Sequence, residues 1–570
     1  MYDTKAILND FSLPIMLTKD VKQLDKQIID DLECLETKDN TTKPMYHYIF
    51  NPKTSFSEIL LTHWATNYTT NAQFLNDSIY LYTHFKPKSE LILNDDIVNT
   101  WKIIKNDDGF VPRYQYIEWE HLKMFNESPV VLFYLSMTTI FSPLISLLSP
   151  ILMFFLPFLL LRIKKVPITM SKYIEVLKSI IQQNAVGALF TKFSTANIKE
   201  RISILGSLGF FVFTMYQNIL ICYRFITNFK KIHGYIKEIK TYLVKVKLHM
   251  LELDKSMKPL ISYKPFRLNM DKRMKDINEL INVLDAIKPL SYSFKNVLQL
   301  GNIMKEFYML HTSKKYESTM QYAFGITGYL QCLDALHKNT KIKYCKLSKK
   351  QTKIKQGFYP SLKDSMDVVK NDIGLDKNYI ITGPNASGKT TILKTTFLNQ
   401  LFSQQIGGGF YKSAKIKPVT HFYCYMNIPD TSGRDSLFQA EARQCKDILE
   451  QITANKKDET HFIIFDELYS GTNPFEASAA AYGYLKYMNT MKNVRFYLTT
   501  HFVDLCEKLD KEKKISNKHM VTIEKDNGIT FTYKIAGGIS SIKGGMHVLQ
   551  QLAYPSKITE EASKQLDACD

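Results

Sequence analysis

Charged residues vanish from the chain between Ser128 and Leu161, about 34 positions dense in Leu, Phe and Ile. A helix that spans a bilayer needs about 20 such residues. The run can therefore span once with slack or fold back as a tight hairpin. Pro143, Pro150 and Pro157 recur at every seventh position and each removes a backbone donor, which predicts a kinked or broken helix. A second uncharged run, Ile202 to Tyr223, has the length of one span. A pair of buried core helices is the alternative for both runs. From Cys222 the pattern becomes regular: Phe225, Phe229, Ile232, Ile236, Ile239, Leu243, Val246, Met250 and Leu253 follow at alternating steps of three and four. That is a heptad seam on one long helix, ended by Pro259 and Pro265. A second helix over Met274 to Ile287 carries Ile277, Leu280, Leu284 and Ile287 on one face. The simplest arrangement is an antiparallel helical pair, with a dimeric coiled coil as its rival.

From about Lys355 the pattern changes again, to short apolar strands alternating with helices, which is the α/β signature. Asn378–Ile381, His461–Phe465 and Val494–Thr499 read as strands, Ile392–Phe402 as a helix, and Gly433–Glu441 opens an amphipathic helix. With 570 residues the chain is too long for one core. The patterns divide it into an acidic, mostly helical region 1–127, a hydrophobic membrane region 128–223, a helical lever or coiled-coil region 224–354 and an α/β domain 355–570.

Charge sharpens this picture. The net charge is +19, yet residues 1–127 hold 13 Lys+Arg against 19 Asp+Glu, so the remainder carries about +25. A basic body suits nucleic acid or anionic lipid as a partner. Richness in Lys, Asn, Ile and Tyr also fits an AT-rich genome, such as that of a giant virus, without any such partner. Basic residues flank the second run on both sides, in Arg162–Arg201 and from Arg224 onward, so the positive-inside rule does not fix its orientation. Eight scattered cysteines form no C-x-x-C pair, which supports neither zinc nor a disulfide framework and points to a reducing compartment. Asp3, Lys5 and Asp10 argue against an N-terminal signal peptide.

The chemistry concentrates in Gly383-Pro384-Asn385-Ala386-Ser387-Gly388-Lys389-Thr390, followed by Thr391, a fit to the phosphate-binding pattern G-x-x-x-x-G-K-[ST]. Glycines let successive N–H groups turn towards a phosphate, and the helix that follows offers its positive end. Lys389 would reach the β/γ oxygens of ATP and Thr390 would ligate Mg²⁺. The apolar strand before Asp466-Glu467 places two carboxylates side by side. Asp466 would hold Mg²⁺ through water, and Glu467 would polarise the attacking water. At the end of the strand Val494–Thr499, His501 could sense the γ-phosphate.

Taken together, T-G-P-N-A-S-G-K-T (Thr382–Thr390), G-R-D-S-L-F-Q-A-E (Gly433–Glu441), D-E-L-Y-S-G-T (Asp466–Thr472) and T-T-H (Thr499–His501) resemble the C-terminal ABC-type ATPase domain of the MutS proteins of DNA mismatch repair. The likeness extends upstream to Tyr359–Leu362 and Val369–Ile373, and downstream through Gly545, Val548, Leu552, Ala553, Pro555, Ile558 and Ala562. It covers roughly residues 355–565. By this resemblance Ser436 is a signature serine acting on the partner subunit's nucleotide, Glu467 the catalytic carboxylate and His501 the switch histidine. The chain also departs from the pattern. Ala386 stands where the family often has Met, and Val368 where an aromatic residue stacks on adenine. No mismatch-reading domain is recognisable. Phe56-Ser57-Glu58 has the letters of the family's F-x-E wedge but no glycine-rich lead-in.

The resemblance implies a homodimeric Mg-dependent ATPase with composite sites, and the charge-free runs place its α/β domain on the cytoplasmic side of a membrane, viral or host. DNA is the partner implied by the resemblance, through mismatch repair or recombination, and membrane lipid the one implied by the apolar runs. The alternative is a membrane-anchored ABC-type motor that no longer binds DNA.

Overall fold

The computed structural model describes residues 4–570 apart from 40, 88–89, 164–168, 184, 288–298, 363–367, 427, 429–435, 526–527, 541–548, 550–553 and 568–570. The chain forms two compact units, one of 96–247 with 275–320, the other of 4–95 with 248–274 and 321–570. These borders cut across the fourfold division drawn from composition, because residues 4–95 pack with the α/β region.

In the first unit the charge-free run is one helix, α1 (Pro129–Ile163). Its prolines do not break it. Seven residues are nearly two turns, so the three missing donors fall along one side and the rest of the hydrogen-bond ladder carries the helix through. The second run opens α2 (Ile198–Met257), a helix of 60 residues. The two runs lie side by side and antiparallel: Cys222 Sγ donates to the Ile140 carbonyl at 3.4 Å, and the Asn218 amide to Ser146 Oγ at 2.5 Å. Their outer side chains stay bare, Phe210 at 72 % and Tyr134 at 65 % exposure. Both helices are long and apolar enough to cross a membrane, and the most apolar stretch of α2 has no buried residue. That exposure tells against a buried core helix at the second run.

Further along α2 the exposure reverses. Ile232, Ile236, Ile239, Leu243 and Val246 are buried within the chain. Tyr235 stacks on Phe307, Thr100 Oγ1 donates to Glu238 at 2.8 Å, and Lys240 pairs with Asp285 at 2.5 Å. Asp285 ends α3 (Lys264–Asp285), whose Ile277, Leu280 and Leu284 are buried in turn. The heptad seam is thus intramolecular packing, and among the described residues the rival coiled coil between two chains finds no open surface along it. Pro265 opens α3, at a first-turn position where no backbone donor is needed, and does not end α2. Phe307 lies on α4 (Leu300–Thr312), which packs against the start of α1 and is followed in the chain by α5 (Lys314–Lys338). The approach is so close at Gly301 that a Cβ there would sit 1.9 Å from the Pro129 carbonyl oxygen.

The second unit is built on six strands: β1 (Asn378–Thr382), β2 (His421–Tyr425), β3 (His461–Asp466), β4 (Val494–Thr499), β5 (Ile515–Lys525) and β6 (Gly528–Gly537). Their order is β2-β3-β4-β1-β5-β6, parallel except for the β5/β6 hairpin. The inner strands are almost wholly buried, which is why they read as unbroken apolar runs and not as alternating ones. Behind the sheet lies α6 (Lys389–Gln405), buried on all sides from Thr395 onward although that stretch carries Asn399, Gln400, Gln404 and Gln405. Each polar group finds a partner. Gln400 and Gln404 donate to the carbonyls of Lys417 and Val419, and Asn399 accepts from the Phe410 N–H. Gln405 donates to the Trp64 and Asn67 carbonyls and accepts from the Tyr46 hydroxyl at 2.5 Å. Through these bonds the N-terminal segment is part of the α/β unit. Within that segment Phe56 is fully buried against Phe324, and Glu58 pairs with His47, so the F-x-E letters mark core packing.

Candidate active site

The phosphate loop runs from the end of β1 to the start of α6. Gly388 caps α6 with φ +93, a left-handed conformation that a side chain would strain, and a Cβ there would crowd the Tyr533 ring at 3.2 Å. Ala386 adopts φ +60 without being glycine. Ser387 is buried and its hydroxyl donates to the Pro384 carbonyl at 2.7 Å, which pins the loop. Asn385, Ala386, Thr390 and Thr391 are exposed. Lys389 is buried and folds back, its Nζ donating to the carbonyls of Gly383 at 3.0 Å and Pro384 at 3.3 Å. Burial pulls its pKa below the ordinary lysine value, while Glu467 and Asp466 act against that shift.

The parallel register β3–β4–β1 carries three strand ends to this loop. Asp466 is held from both sides, by Thr390 Oγ1 at 2.9 Å and by a short hydrogen bond from Thr499 Oγ1. A hydroxyl and a carboxylate in contact are the hard oxygen donors that Mg²⁺ takes, with water and phosphate filling its other positions. Thr390 and Asp466 fit that ion. When bound, Mg²⁺ would neutralise charge developing on the phosphate oxygens.

Glu467 leaves the strand with φ +54, its N–H held by the Thr499 carbonyl. Its carboxylate lies 3.2 Å from His501 Nε2, and the same nitrogen lies 3.1 Å from Lys389 Nζ. The His501 hydrogen bond, aided by Lys389, holds the Glu467 pKa below its usual value. One imidazole nitrogen cannot accept from the ammonium and donate to the carboxylate at once. Protonated at Nδ1, His501 accepts from Lys389; protonated at Nε2, it donates to Glu467. Drawing Lys389 towards a phosphate would release Nε2 for Glu467.

Ser436 stands apart from this cluster. It caps α7 (Leu437–Ala454), accepting from the Gln439 N–H at 3.3 Å while Gln439 Oε1 accepts from the Ser436 N–H. Among the described residues no contact joins it to Lys389, Glu467 or His501. Gly433, Arg434, Asp435, Gly545, Val548, Leu552 and Ala553 lie outside the described residues. One linkage went unread in the sequence. Glu441 on α7 is buried and accepts from Ser470 N–H, Ser470 Oγ and Gly471 N–H, each at 3.1 Å, and Gly471 packs on Leu437. The turn just beyond Glu467 is thereby fastened to the helix that Ser436 caps. Glu441→Ala removes the buried carboxylate that accepts all three bonds, at a cost of about 2 kcal/mol, so amide exchange at Ser470 and Gly471 should rise roughly 30-fold.

A cavity of about 90 Å³ adjoins the loop, lined by Phe358, Val369, Gly388, Thr391, Met520 and Tyr533. Val368 is not in its lining; the aromatic residues there are Phe358, Tyr359 and Tyr533, the last on β6. Asn371 fixes that strand, its amide donating to the Tyr533 carbonyl and accepting from the Ile535 N–H. Only the sheet order brings Tyr533 here, and no local sequence signal marks it.

A parallel sheet whose first strand runs through a glycine-bounded loop into a helix, with a paired acid at the end of the strand one place beyond its neighbour, defines a P-loop nucleotide-binding domain. Residues 379–570 match the family model for MutS domain V. The chain is similar to proteins named DNA mismatch repair protein MutS from three bacteria. With that of Persephonella marina it is 27 % identical over 220 residues, 37 % of this chain and 24 % of the relative. With that of Bacteroides fragilis it is 29 % identical over 231 residues, 38 % and 26 %. With that of Pseudothermotoga lettingae it is 31 % identical over 206 residues, 35 % and 24 %. The chain spans about a quarter of the length of these relatives. The likeness to MutS proteins is thus carried by the C-terminal region, whose residues 379–570 match MutS domain V.

Proposed function

We propose that this chain is a Mg-dependent ATPase that works as a homodimer and couples nucleotide turnover to a membrane-inserted helical hairpin. The observation that carries the reading is the convergence of Lys389 and Glu467 on one nitrogen of His501, beside the Thr390–Asp466 pair. Lys389 binds phosphate, Glu467 orients and deprotonates water, and His501 passes from one to the other as the γ-phosphate arrives. Phe358 and Tyr533 flank the base. Ser436, at an exposed helix start, meets the γ-phosphate of the partner subunit.

The relatives are named for DNA mismatch repair, and DNA is the proposed second ligand. Lys230, Lys231, Lys237 and Lys245 are exposed on α2 between its buried seam positions and would engage backbone phosphates. Full-length protein in detergent micelles should bind duplex DNA with a log–log salt slope of about −0.9 per phosphate engaged, or roughly −5 for six contacts. A motor that has lost DNA would show ATP turnover with no salt-dependent affinity above that of a generic polycation. The bare apolar faces of α1 and α2 favour keeping this second reading.

Those faces support the membrane assignment, with the ATPase unit on the cytoplasmic side. The full chain should stay with membranes through carbonate extraction. Release by carbonate or by salt alone would remove the membrane from the proposal and leave the hairpin as a surface for protein.

A further inference from the structure

At the opposite end of the sheet from the phosphate loop, the first residues of β3 and β4 border a second cavity, of about 200 Å³. A six-residue strand rises about 20 Å, so this cavity is separate from the nucleotide site. Its walls carry Lys350, Lys417, Lys492 and Arg495. Among the described residues none of these four cations has a carboxylate within ion-pair distance. The lining's acid among the described residues, Asp376, already accepts from the Tyr379 hydroxyl at 2.9 Å. Lys350 and Lys492 are exposed, whereas Lys417 and Arg495 are half-buried. Arg495 is also fixed in place, its Nη1 donating to the carbonyls of Lys492 at 3.2 Å and Val494 at 2.6 Å. Half-burying an unpaired guanidinium is costly, and here burial pulls its pKa down.

His461 is the second, independent observation. It lines the same cavity, is 1 % exposed, and its Nε2 has no hydrogen-bond partner among the described residues. The Tyr423 oxygen accepts from Asn455 at 3.5 Å, which leaves its proton free for His461 Nδ1 at 3.3 Å. The free Nε2 then carries the ring's proton, a buried donor without an acceptor. Burial and the neighbouring His421 push its pKa down to about 4, so the ring is neutral at physiological pH and is not a fifth charge. Orphaned buried donors are rare unless a ligand or water completes them.

We propose that this cavity binds a phosphate-bearing anion of the size of a phosphomonoester, free or as a lipid headgroup. The planar guanidinium of Arg495 pairs with two oxygens, the lysines neutralise the remaining charge, and the imidazole N–H donates to a third oxygen. A volume of about 200 Å³ fits such a group and is too small for a nucleic-acid strand, which needs a long groove. The inference is independent of ATP hydrolysis.

The test uses the full-length chain in phosphatidylcholine nanodiscs, carrying Lys389→Ala so that the phosphate loop does not report. Inorganic phosphate and glycerol 3-phosphate are titrated by calorimetry at constant ionic strength. Saturable binding is expected, and Lys417→Gln with Arg495→Gln should weaken it at least about tenfold, or 1.4 kcal/mol. Lys350→Glu with Lys492→Glu, at two exposed positions that folding does not require, should weaken it as well. If glycerol 3-phosphate binds as tightly as inorganic phosphate, the ligand is a free monoester. If phosphatidic acid vesicles displace it and phosphatidylcholine vesicles do not, the ligand is a headgroup. No saturable binding, binding unchanged in both double variants (an adventitious ion only), or binding confined to duplex DNA would each overturn the proposal.

Discussion

Replacing Glu467 by Gln should leave a protein that binds MgATP and turns it over about 10²–10³ times more slowly. The exchange is isosteric, so the left-handed backbone at 467 and its bond to the Thr499 carbonyl are kept, and what is lost is the ability to take a proton from water. Nucleotide binding rests on the loop amides and Lys389, which the substitution does not touch. A filter-binding assay should therefore show retained ATP while phosphate release collapses. Wild-type turnover by the variant would remove Glu467 from its role. The same geometry fixes a pH dependence. His501 and Lys389 depress the Glu467 pKa below 4.5, so the carboxylate stays charged through weak acid and the acid limb of turnover lies below the ordinary carboxylate range. The depressed value also contributes stability that is present above pH 4.5 and is lost as pH falls through the folded pKa.

Mixing two inactive proteins should restore activity. Lys389→Ala empties a subunit's own phosphate loop, and Ser436→Arg blocks the helix start that it offers to its partner. In a mixed dimer the intact loop of the Ser436→Arg chain meets the intact serine of the Lys389→Ala chain, so one of two sites works. Random pairing makes half the dimers mixed, so turnover should return to about a quarter of wild type. The exposed position of Ser436, away from the cluster of its own chain, motivates the experiment. A mixture as inactive as its parents, with heterodimers demonstrated by mass, would mean that each chain completes its own site.

What could be read in advance was whatever is written locally. The phosphate loop, Asp466-Glu467 and His501 announce themselves because one strand-to-helix turn or one strand end needs those residue types in that order. The heptad seam was legible as a surface to be covered but not as to what covers it. Periodicity records a buried stripe and is silent about whether Asp285 and Phe307 of the same chain or a second chain supply the cover. The prolines of α1 misled because each was weighed singly, whereas their common spacing confines the damage to one side. Glu441 and Tyr533 were invisible as functional residues, since their partners are set by sheet order. The least legible element was α6. Asn399, Gln400, Gln404 and Gln405 look like the outward face of a helix and are fully buried, because backbone carbonyls from distant segments satisfy their amides one by one.

That amide lattice has a consequence for how the protein is made. Gln405 takes its partners from Tyr46, Trp64 and Asn67, residues 359, 341 and 338 positions earlier in the chain. At about 5–20 residues per second, the ribosome delivers the second half of each bond roughly 20–70 s after the first. Throughout that interval the segment 45–69 holds an apolar surface with Phe50, Trp64 and Tyr68 ready and nothing to close it. Biogenesis is thus a waiting problem, in which an early segment keeps an apolar face until a late helix arrives. Shortening the delay, by supplying residues 321–570 ahead of time as a separate chain, would relieve it.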